Sequence, residues 1–401
     1  MIASAPKHMQ ELLAQTTGFI YPNEVEIHWS ILIVVYPYIT GLVAGAFILA
    51  SLVKVFNVKE VQPTYRLALL TALSFLLVAP LPLQLHLGHP ERAFEIFLTP
   101  HLTSAMAMFG FVYAWYLMGV LLLEIWFEFR RDLVVLGQRA RFPLNWLYRT
   151  LALFTTEIDE RALAADRTAI KVITIIGIPS AFLLHGYVGF IFGSVKANPW
   201  WGSVLMPIVF LMSAIVSGIA MVTLLYMILT SMRNNPIDMK CLDKMVSYLF
   251  YAVVVDFSLE MLDFIHRLYQ SEESVKILAQ LISQRLFTTL IVVQVLLGML
   301  IPLVVLVLAR SRHFNEDMRK MLYFASVILI QVGIFSTRWN VVIGGQLFSK
   351  SFRGLMTYKM QITGLEGLLT SIGLLILPFV ILAVLVRLLP TQRMDEQTAT
   401  G

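Results

Sequence analysis

Nine apolar stretches, each long enough to cross a lipid bilayer, constrain the fold of this chain more than any other feature. A helix needs about 20 apolar residues to cross the hydrocarbon core. The pattern predicts an all-α polytopic membrane protein with about nine transmembrane helices, and the moderately apolar segment 340–361 could hold a re-entrant or tenth helix. The stretches lie at roughly 28–53, 65–87, 104–127, 169–193, 204–229, 245–269, 286–309, 320–339 and 363–388.

The composition agrees with a chain that is mostly embedded in a membrane. Hydrophobic residues make up 58% of the sequence and charged residues 14%, whereas a soluble domain has about 25% charged residues. The basic residues lie in loops between the apolar stretches, so the pI of 9.2 does not indicate nucleic-acid binding. The single cysteine, Cys241, excludes a disulfide within the chain and a four-cysteine iron–sulfur cluster.

The distribution of Lys and Arg predicts the orientation of the chain. With nine spans the two termini lie on opposite sides of the membrane, and 20 of the 30 basic residues fall on the side of the C-terminus. Because cytoplasmic loops carry the excess of basic residues, we predict a cytoplasmic C-terminus and an N-terminus outside. The longest loop, 128–168, is then cytoplasmic; it could contain an amphipathic helix, although a solvated connector at the lipid surface is the simpler interpretation.

Ionisable residues inside the apolar stretches are the second informative feature, because each costs about 2.5–3.5 kcal/mol at the bilayer centre. The sixth span carries four of them at spacings of 4, 3 and 4, which places them on one helix face. Such residues mark a proton, ion or ligand path, or else form ion pairs or anchor a helix end. They are Asp256, Glu260, Asp263 and Arg267 in the sixth span, Arg338 in the eighth and Glu124 in the third.

Three classes of protein could use these residues. A haem-bearing cytochrome b needs facing histidines, and only His86, His185 and His266 are plausibly embedded. A proton-coupled transporter is expected to have interrupted helices in both halves, but Pro80 and Pro82 interrupt only the second span. A quinone-binding subunit without redox centres of its own needs an apolar cleft with a protonatable side chain near each carbonyl, and the clustering of polar residues toward one membrane face favours this class.

Four segments resemble the NrfD/PsrC family of cofactor-free membrane subunits in bacterial respiratory complexes, in particular its longer QrcD- and HybB-like members. The segments are WSILIVVYPYITGLVAGAFILASL, LHLGHPERAFEIFLTPHLTSAM, LLHGYVGFIFGSVKANPWWGS and STRWNVVIGGQ. The resemblance extends over residues 28–390. Two departures stand out: His86 replaces the usual acid of the second segment, and the longer members carry ten helices.

The resemblance implies two four-helix bundles and a menaquinone site in the first bundle, beneath a periplasmic iron–sulfur subunit. The corresponding divisions are 1–27 (periplasmic), 28–193 (first bundle), 194–339 (second bundle) and 340–401 (outer loop, last helix and cytoplasmic tail). Neither haem nor an iron–sulfur cluster is expected in this chain, and no metal. The quinone-site residues that it implies are His28, Tyr36, His86, His89, Glu91, Arg92, Thr103 and His185.

The resemblance implies a subunit of an oxidoreductase in the bacterial inner membrane, which connects a molybdopterin enzyme, a hydrogenase or a multihaem cytochrome to the quinone pool. A weak internal repeat aligns His185 with Arg338 at the ends of the fourth and eighth spans. The acids and Arg338 then lie in the second bundle, as a proton path or as a balanced ion network. A path from Glu124 toward Asp256 and Glu260 would make turnover electrogenic. The direction of electron transfer is left open.

Overall fold

In the computed structural model, residues 14–391 are described except for 100, 102, 271–273 and 311–313. Within these residues nine helices are long and apolar enough to cross a membrane. The prediction of an all-α polytopic protein with nine spans is therefore confirmed. We label the helices in chain order as α1 Ile31–Lys54, α2 Lys59–His86, α3 Ala107–Arg139, α4 Glu160–Gly193, α5 Met206–Met232, α6 Met239–Tyr269, α7 Val275–Ala309, α8 Glu316–Gln346 and α9 Leu368–Leu388.

Several of these helices are composite. In α2, a break at Pro80 separates two helical segments, because proline lacks the N–H that would continue the hydrogen-bond ladder. Helices α3 and α7 each contain a π-helical stretch, and α8 ends in a 3₁₀ turn. The segments are Lys59–Thr64, Tyr65–Val78 and Leu81–His86 in α2; Ala105–Ala114, Trp115–Leu121 and Leu122–Arg139 around α3; Val275–Leu281, Ile282–Leu300 and Ile301–Ala309 in α7; and Glu316–Val342 and Gly344–Gln346 in α8.

Short elements lie between the spans, and β1 (Thr17–Gly18) pairs antiparallel with β2 (Gly354–Leu355). Segment 340–361 therefore contains the end of α8, a turn and β2, so the tenth helix considered from the sequence is absent from this described segment. Residues 1–13 of the predicted periplasmic segment and 392–401 of the predicted tail lie outside the described residues. The remaining short helices are Pro22–Glu24, Pro90–Arg92, Glu95–Leu98 and Leu144–Leu151.

The interpretation of segment 128–168 as a solvated connector is wrong. Helix α3 continues to Arg139 and α4 already begins at Glu160, with only a short helix between them. Some of the charged residues that suggested a loop are buried partners: the Arg130 guanidinium lies 2.7 Å from the Asp166 carboxylate. A helix predicted from apolar composition alone would end before these charges. Because the charges neutralise each other between two helices, both helices continue past them.

Helices α1–α4 pack on one another, and so do α5–α8, while α9 packs on α2 and α1. The two groups meet most extensively where α1 lies against α5. Of the 18 most apolar consecutive residues in each helix, 89% are buried in α1 and 22% in α9. A Cβ on Gly45 would collide with the backbone of Ala214 and Gly218, which shows that the two helix backbones are in contact there. The proposed domain limits themselves stay a prediction.

The antiparallel succession of spans gives the molecule two polar faces. The face on which α1 begins, here called the N-side face, carries β1, β2 and the loops after α2, α4 and α8. On this face the Trp29 ring stacks on Trp201, with the ring centroids 5.2 Å apart. The C-side face carries the segment between α3 and α4 and the end of α9; there the Tyr148 hydroxyl donates to the Leu388 carbonyl. The predicted topology would place the N-side face outside the cell.

Candidate functional site

A fully buried arginine and histidine meet where the two groups of helices join. Arg338 of α8 donates through Nη2 to Nε2 of His185 in α4, at 3.2 Å, and to Oγ of Ser213 in α5, at 2.6 Å. Both Arg338 and His185 have 0% exposure. We call Thr40, His185, Ser213 and Arg338, together with the Phe210 ring, the His185–Arg338 centre.

The contacts of His185 define its tautomer. A guanidinium can only donate hydrogen bonds, so Nε2 of His185 must be the acceptor and the ring proton must lie on Nδ1. Nδ1 is 3.3 Å from Oγ1 of Thr40, whose own hydroxyl donates to the Tyr36 carbonyl at 3.1 Å. The resulting chain of donors runs from Arg338 through His185 and Thr40 to the backbone of α1.

Aromatic and glycine contacts complete the centre. The Arg338 guanidinium carbon lies 4.3 Å from the centroid of the Phe210 ring, a cation–π contact that contributes about 0.5–2 kcal/mol. The His185 ring stacks on the same ring with centroids 5.7 Å apart. A Cβ on Gly41 would come within 3.2 Å of the His185 ring, so glycine leaves the space that the imidazole fills.

Two buried acids of α6 supply the opposite charge. Asp256 and Glu260 both interact electrostatically with Arg338. Glu260 accepts a hydrogen bond from the Gln294 amide at 2.9 Å, and Asn340 donates to the same Gln294 at 2.7 Å. Both oxygens of Asp256, one of Glu260, and Nε and Nη1 of Arg338 have no hydrogen-bond partner in the described part of the chain. This side of the centre therefore combines opposite charges with unused hydrogen-bonding capacity.

A cavity of about 50 Å³ borders Glu260, and Asp263, Arg267 and Gln294 also line it. One water needs about 10–15 Å³ of such volume, so a few waters fit and could bridge the polar atoms. The cavity is too small for a quinone ring.

The other half of the acidic stripe is a structural ion pair, as one interpretation of the sequence had it. Arg267 pairs with Asp263 one turn earlier in α6 and also donates to the Trp200 carbonyl, while Ser203 donates to Asp263. The guanidinium of Arg267 lies 5.2 Å from the Trp200 ring centroid. These two charges hold the loop between α4 and α5 against α6.

The third predicted acid, Glu124, lies apart from the stripe. It is fully buried among α2, α3 and α4, and its Oε1 accepts a hydrogen bond from the Tyr65 hydroxyl at 2.9 Å. The described hydrogen bonds do not join it to Asp256 or Glu260, so the path predicted between them rests on no contact of the described residues.

The predicted quinone residues fall in separate places. His28 lines a cavity of about 270 Å³ on the N-side face, together with Trp29, Trp201 and Gln346. Tyr36 is buried in α1, where its ring meets the edge of Phe109 at 5.5 Å. His185 belongs to the centre described above.

The remaining candidates lie at the end of α2 and in the loop that follows. His86 is half-buried and its Nδ1 lies 3.0 Å from the Glu366 carboxylate, just before α9. Three exposed pairs follow in the loop: His89 with Glu91 at 2.9 Å, Arg92 with Glu95 at 3.0 Å, and Thr103 with His101 at 2.8 Å. The hydrogen bond from Arg92 lowers the pKa of the exposed Glu95 carboxyl.

Several polar partners escaped the sequence analysis. Ser213 and Thr40 carry no charge, so nothing marked them, whereas Glu366 lies near the start of the predicted ninth span and was not singled out. Gln294, Asn340 and Gln331 were detectable, because amides are costly in an apolar span without a partner; the Tyr38 hydroxyl donates to Gln331 at 2.8 Å. Among the described residues no group of three or more His, Cys, Asp or Glu is arranged to hold a metal ion.

Comparisons with known proteins agree with the resemblance noted in the sequence. The family described as "Polysulphide reductase, NrfD" matches residues 22–350. The chain is 30% identical over 386 residues to a subunit of the selenate reductase of Mesobacillus selenatarsenatis, an alignment that covers 92% of this chain and 88% of the relative. It is also 29% identical over 227 residues to protein NrfD of Escherichia coli, covering 56% of this chain and 66% of the relative.

Proposed function

This chain belongs to the NrfD polysulphide reductase family, as a multi-pass membrane subunit of a reductase complex, and we propose that it binds menaquinone or a related quinone. In this proposal, electrons pass between the quinone and an iron–sulfur subunit on the N-side face. The chain itself supplies binding, orientation and protons. The observation that carries the proposal is the His86–Glu366 pair at the end of α2.

The His86–Glu366 pair has the chemistry that a quinone carbonyl needs. Reduction of a quinone to a quinol adds two electrons and two protons, so each carbonyl oxygen needs a proton donor. A histidine ring can pass a proton to a bound carbonyl, and the half-exposed Glu366 carboxyl can exchange protons between solution and His86. His89 and Glu91 continue this polar series toward solution.

The loop after His86 also carries exposed apolar side chains. Leu87, Phe94, Phe97 and Leu98 are all exposed, and Leu98 is 70% exposed. A quinone site is mostly apolar, with a few placed polar groups. This loop therefore offers both the apolar surface for a ring and tail and the proton-exchanging side chains.

The N-side face offers the surface for the electron-transfer partner. Exposed charged pairs of the loop after α2, including Arg92–Glu95, lie on the face that also carries the cavity beside His28. The excess of basic residues on the opposite face supports a periplasmic position for this one, in the bacterial inner membrane. The partner would be an iron–sulfur subunit that continues to a molybdopterin, hydrogenase or multihaem subunit.

The proposal includes movement of charge across the membrane. If electrons meet the quinone from the N-side face while protons arrive from the C-side face, each turnover separates charge across the bilayer. Buried ionisable groups in the spans provide places where a proton could pause. Such turnover would generate a membrane potential.

The test uses the complex purified through a tag on this chain. We expect His86→Ala and Glu366→Gln to lower the quinone-linked kcat by at least about 100-fold, the range of general acid–base catalysis. His266→Ala, at the N-side end of α6, is the matched control and should keep the wild-type rate. Wild-type rates in both His86→Ala and Glu366→Gln would contradict the proposed site, and purification of this chain without any partner subunit would contradict the proposed complex.

A further inference from the structure

A polar cavity of about 260 Å³ opens on the C-side face between α2, α3 and α4. Exposed Glu160 and Arg167 stand on its rim, and Arg66, Glu128 and Asp132 lie deeper. A cavity of this volume holds many times the space that one water needs, about 10–15 Å³. Water from the C-side solution can therefore reach buried residues of the first four helices.

The deep residues of this C-side cavity form a balanced ion cluster. Glu128 pairs with Lys54 at 2.9 Å and with Arg66 at 3.0 Å, and Arg66 also lies 2.6 Å from Asp132. Each of these acids thus has a basic neighbour. This part of the cavity has a sufficient structural explanation, and the inference concerns what lies one turn beyond it.

Glu124 lies one helical turn beyond Glu128, further from the C-side face. Helix α4 shows the same one-turn spacing: Ile170 lines the cavity, and Thr174 lies one turn further, beside Glu124. The Thr174 hydroxyl donates to the Ile170 carbonyl at 2.8 Å. Oε2 of Glu124 has no hydrogen-bond partner among the described residues, although Oε1 accepts from Tyr65 and the nearby Thr174 hydroxyl favours the carboxylate.

A second buried oxygen continues the series along α3. Tyr116 is fully buried, it interacts electrostatically with Glu124, and its hydroxyl has no hydrogen-bond partner within the described structure. The helix between the two residues is π-helical over Trp115–Leu121. Such wide turns are frequent at functional sites, and here the stretch contains Tyr116 and ends three residues before Glu124.

We propose that the C-side cavity and Glu124 form a proton inlet into the first four helices. A proton from water in the cavity binds the Glu124 carboxylate, which becomes a carboxylic acid while Tyr65 still donates to its other oxygen. The acid then faces the Tyr116 hydroxyl, the next polar group toward the N-side face. The inference rests on the proposed function in one respect: the quinone is the destination of the proton.

The inlet differs from the neighbouring ion cluster in one decisive respect. Glu128 and Asp132 each lie within 3.0 Å of a basic side chain, whereas Glu124 forms no ion pair among the described residues. A carboxyl that accepts and releases protons must have an oxygen that is not permanently occupied. Oε2 of Glu124 is such an oxygen, one turn from water.

The test uses the complex in liposomes, with a pH dye in the solution that bathes the C-side face. We expect Glu124→Gln to abolish proton uptake from that side and to slow quinone-linked turnover about 100-fold, and Tyr116→Phe to slow both. Glu60→Gln removes an exposed acid from the same face and should change neither. Glutamine keeps the acceptor for Tyr65, and a thermal unfolding midpoint near that of the wild type excludes misfolding.

The outcomes separate this inference from the proposed function. Wild-type proton uptake and turnover in Glu124→Gln would overturn the inlet while leaving the quinone function intact. If the wild-type complex has no quinone-linked turnover, infrared spectroscopy of the purified full chain still decides. A carboxylic-acid band that shifts promptly in D₂O and is missing from Glu124→Gln supports the inlet, whereas a Glu124 band that resists exchange, or its absence at every pH, overturns it.

Discussion

The described part of the chain contains two buried clusters of acidic residues, and their negative charges are balanced in different ways. On the C-side of the first four helices, Glu128 and Asp132 are paired with Lys54 and Arg66, and a cavity of about 260 Å³ admits water. Around Arg338, the acids Asp256 and Glu260 share one guanidinium, and Glu260 lines a cavity of only about 50 Å³.

This difference determines whether the residues at each cluster can exchange protons with solution. Charges beside water are stabilised by solvent as well as by their partners, so a carboxyl next to the first cluster can change its protonation. Charges enclosed by protein depend on one another, because the effective dielectric constant there is low. We therefore assign proton exchange to Glu124, one turn beyond the first cluster and its cavity, and to the His185–Arg338 centre the role of joining α4, α5 and α8.

Arg338→Met should give the largest loss of stability. It leaves two buried carboxylates without their counter-charge, and removal of one partner from a buried ion pair costs about 3–5 kcal/mol. The free energy of unfolding in detergent would report the loss. Adding Asp256→Asn should restore part of it, because one uncompensated charge disappears. An Arg338→Met protein as stable as the wild type would break the comparison, because the centre would then not depend on its charges.

Glu128→Gln should cost less, about 2–3 kcal/mol, although it also removes a buried carboxylate. Lys54 and Arg66 lose their shared acceptor, but Asp132 remains and water in the cavity can solvate both cations. The same unfolding measurement applies. A loss larger than that of Arg338→Met would show that the cavity does not moderate the charges around it.

Asp256→Asn should change the free energy of unfolding by no more than about 1 kcal/mol. No described donor contacts its oxygens, so the substitution removes no hydrogen bond, and Glu260 still balances Arg338. The matched variant is Asp263→Asn, which breaks the bonds to Ser203 and Arg267 and should be the more destabilising of the two. The reverse order would indicate that Asp256 is the main partner of Arg338.

His86→Ala should have the smallest effect on stability, within about 0.5 kcal/mol, because both His86 and Glu366 are partly exposed. In the proposed function the same variant loses most of its quinone-linked turnover. Thermal unfolding and turnover measured on one preparation would separate the two effects. A marked loss of stability would instead give the pair a structural role.

The spans were predictable because each is a long apolar run, and nine such runs dictate nine helices whatever their neighbours are. Their ends were less predictable where charge and helix continue together. Arg130 and Asp166 neutralise each other across α3 and α4, and a single sequence does not reveal that two residues 36 positions apart are partners.

The sequence indicated which residues belong to the sites, but it did not indicate which of them are in contact. The cost of a buried charge singled out Arg338, Asp256 and Glu260 without any structure. A weak internal repeat aligned His185 with Arg338, but their contact across 153 positions also depends on how the two helices are rotated, which the sequence does not indicate. The role of Thr40, a polar side chain common in spans, follows only from that contact.

The pairing of β1 with β2 has a consequence for biosynthesis. Thr17 lies opposite Leu355, so β1 can pair with β2 only after the ribosome has made the first eight spans. At about 5–20 residues per second, that delay is roughly 17–70 seconds. Throughout this time β1 lacks its partner strand, so the antiparallel pair on the N-side face can close only after the first eight spans have been made.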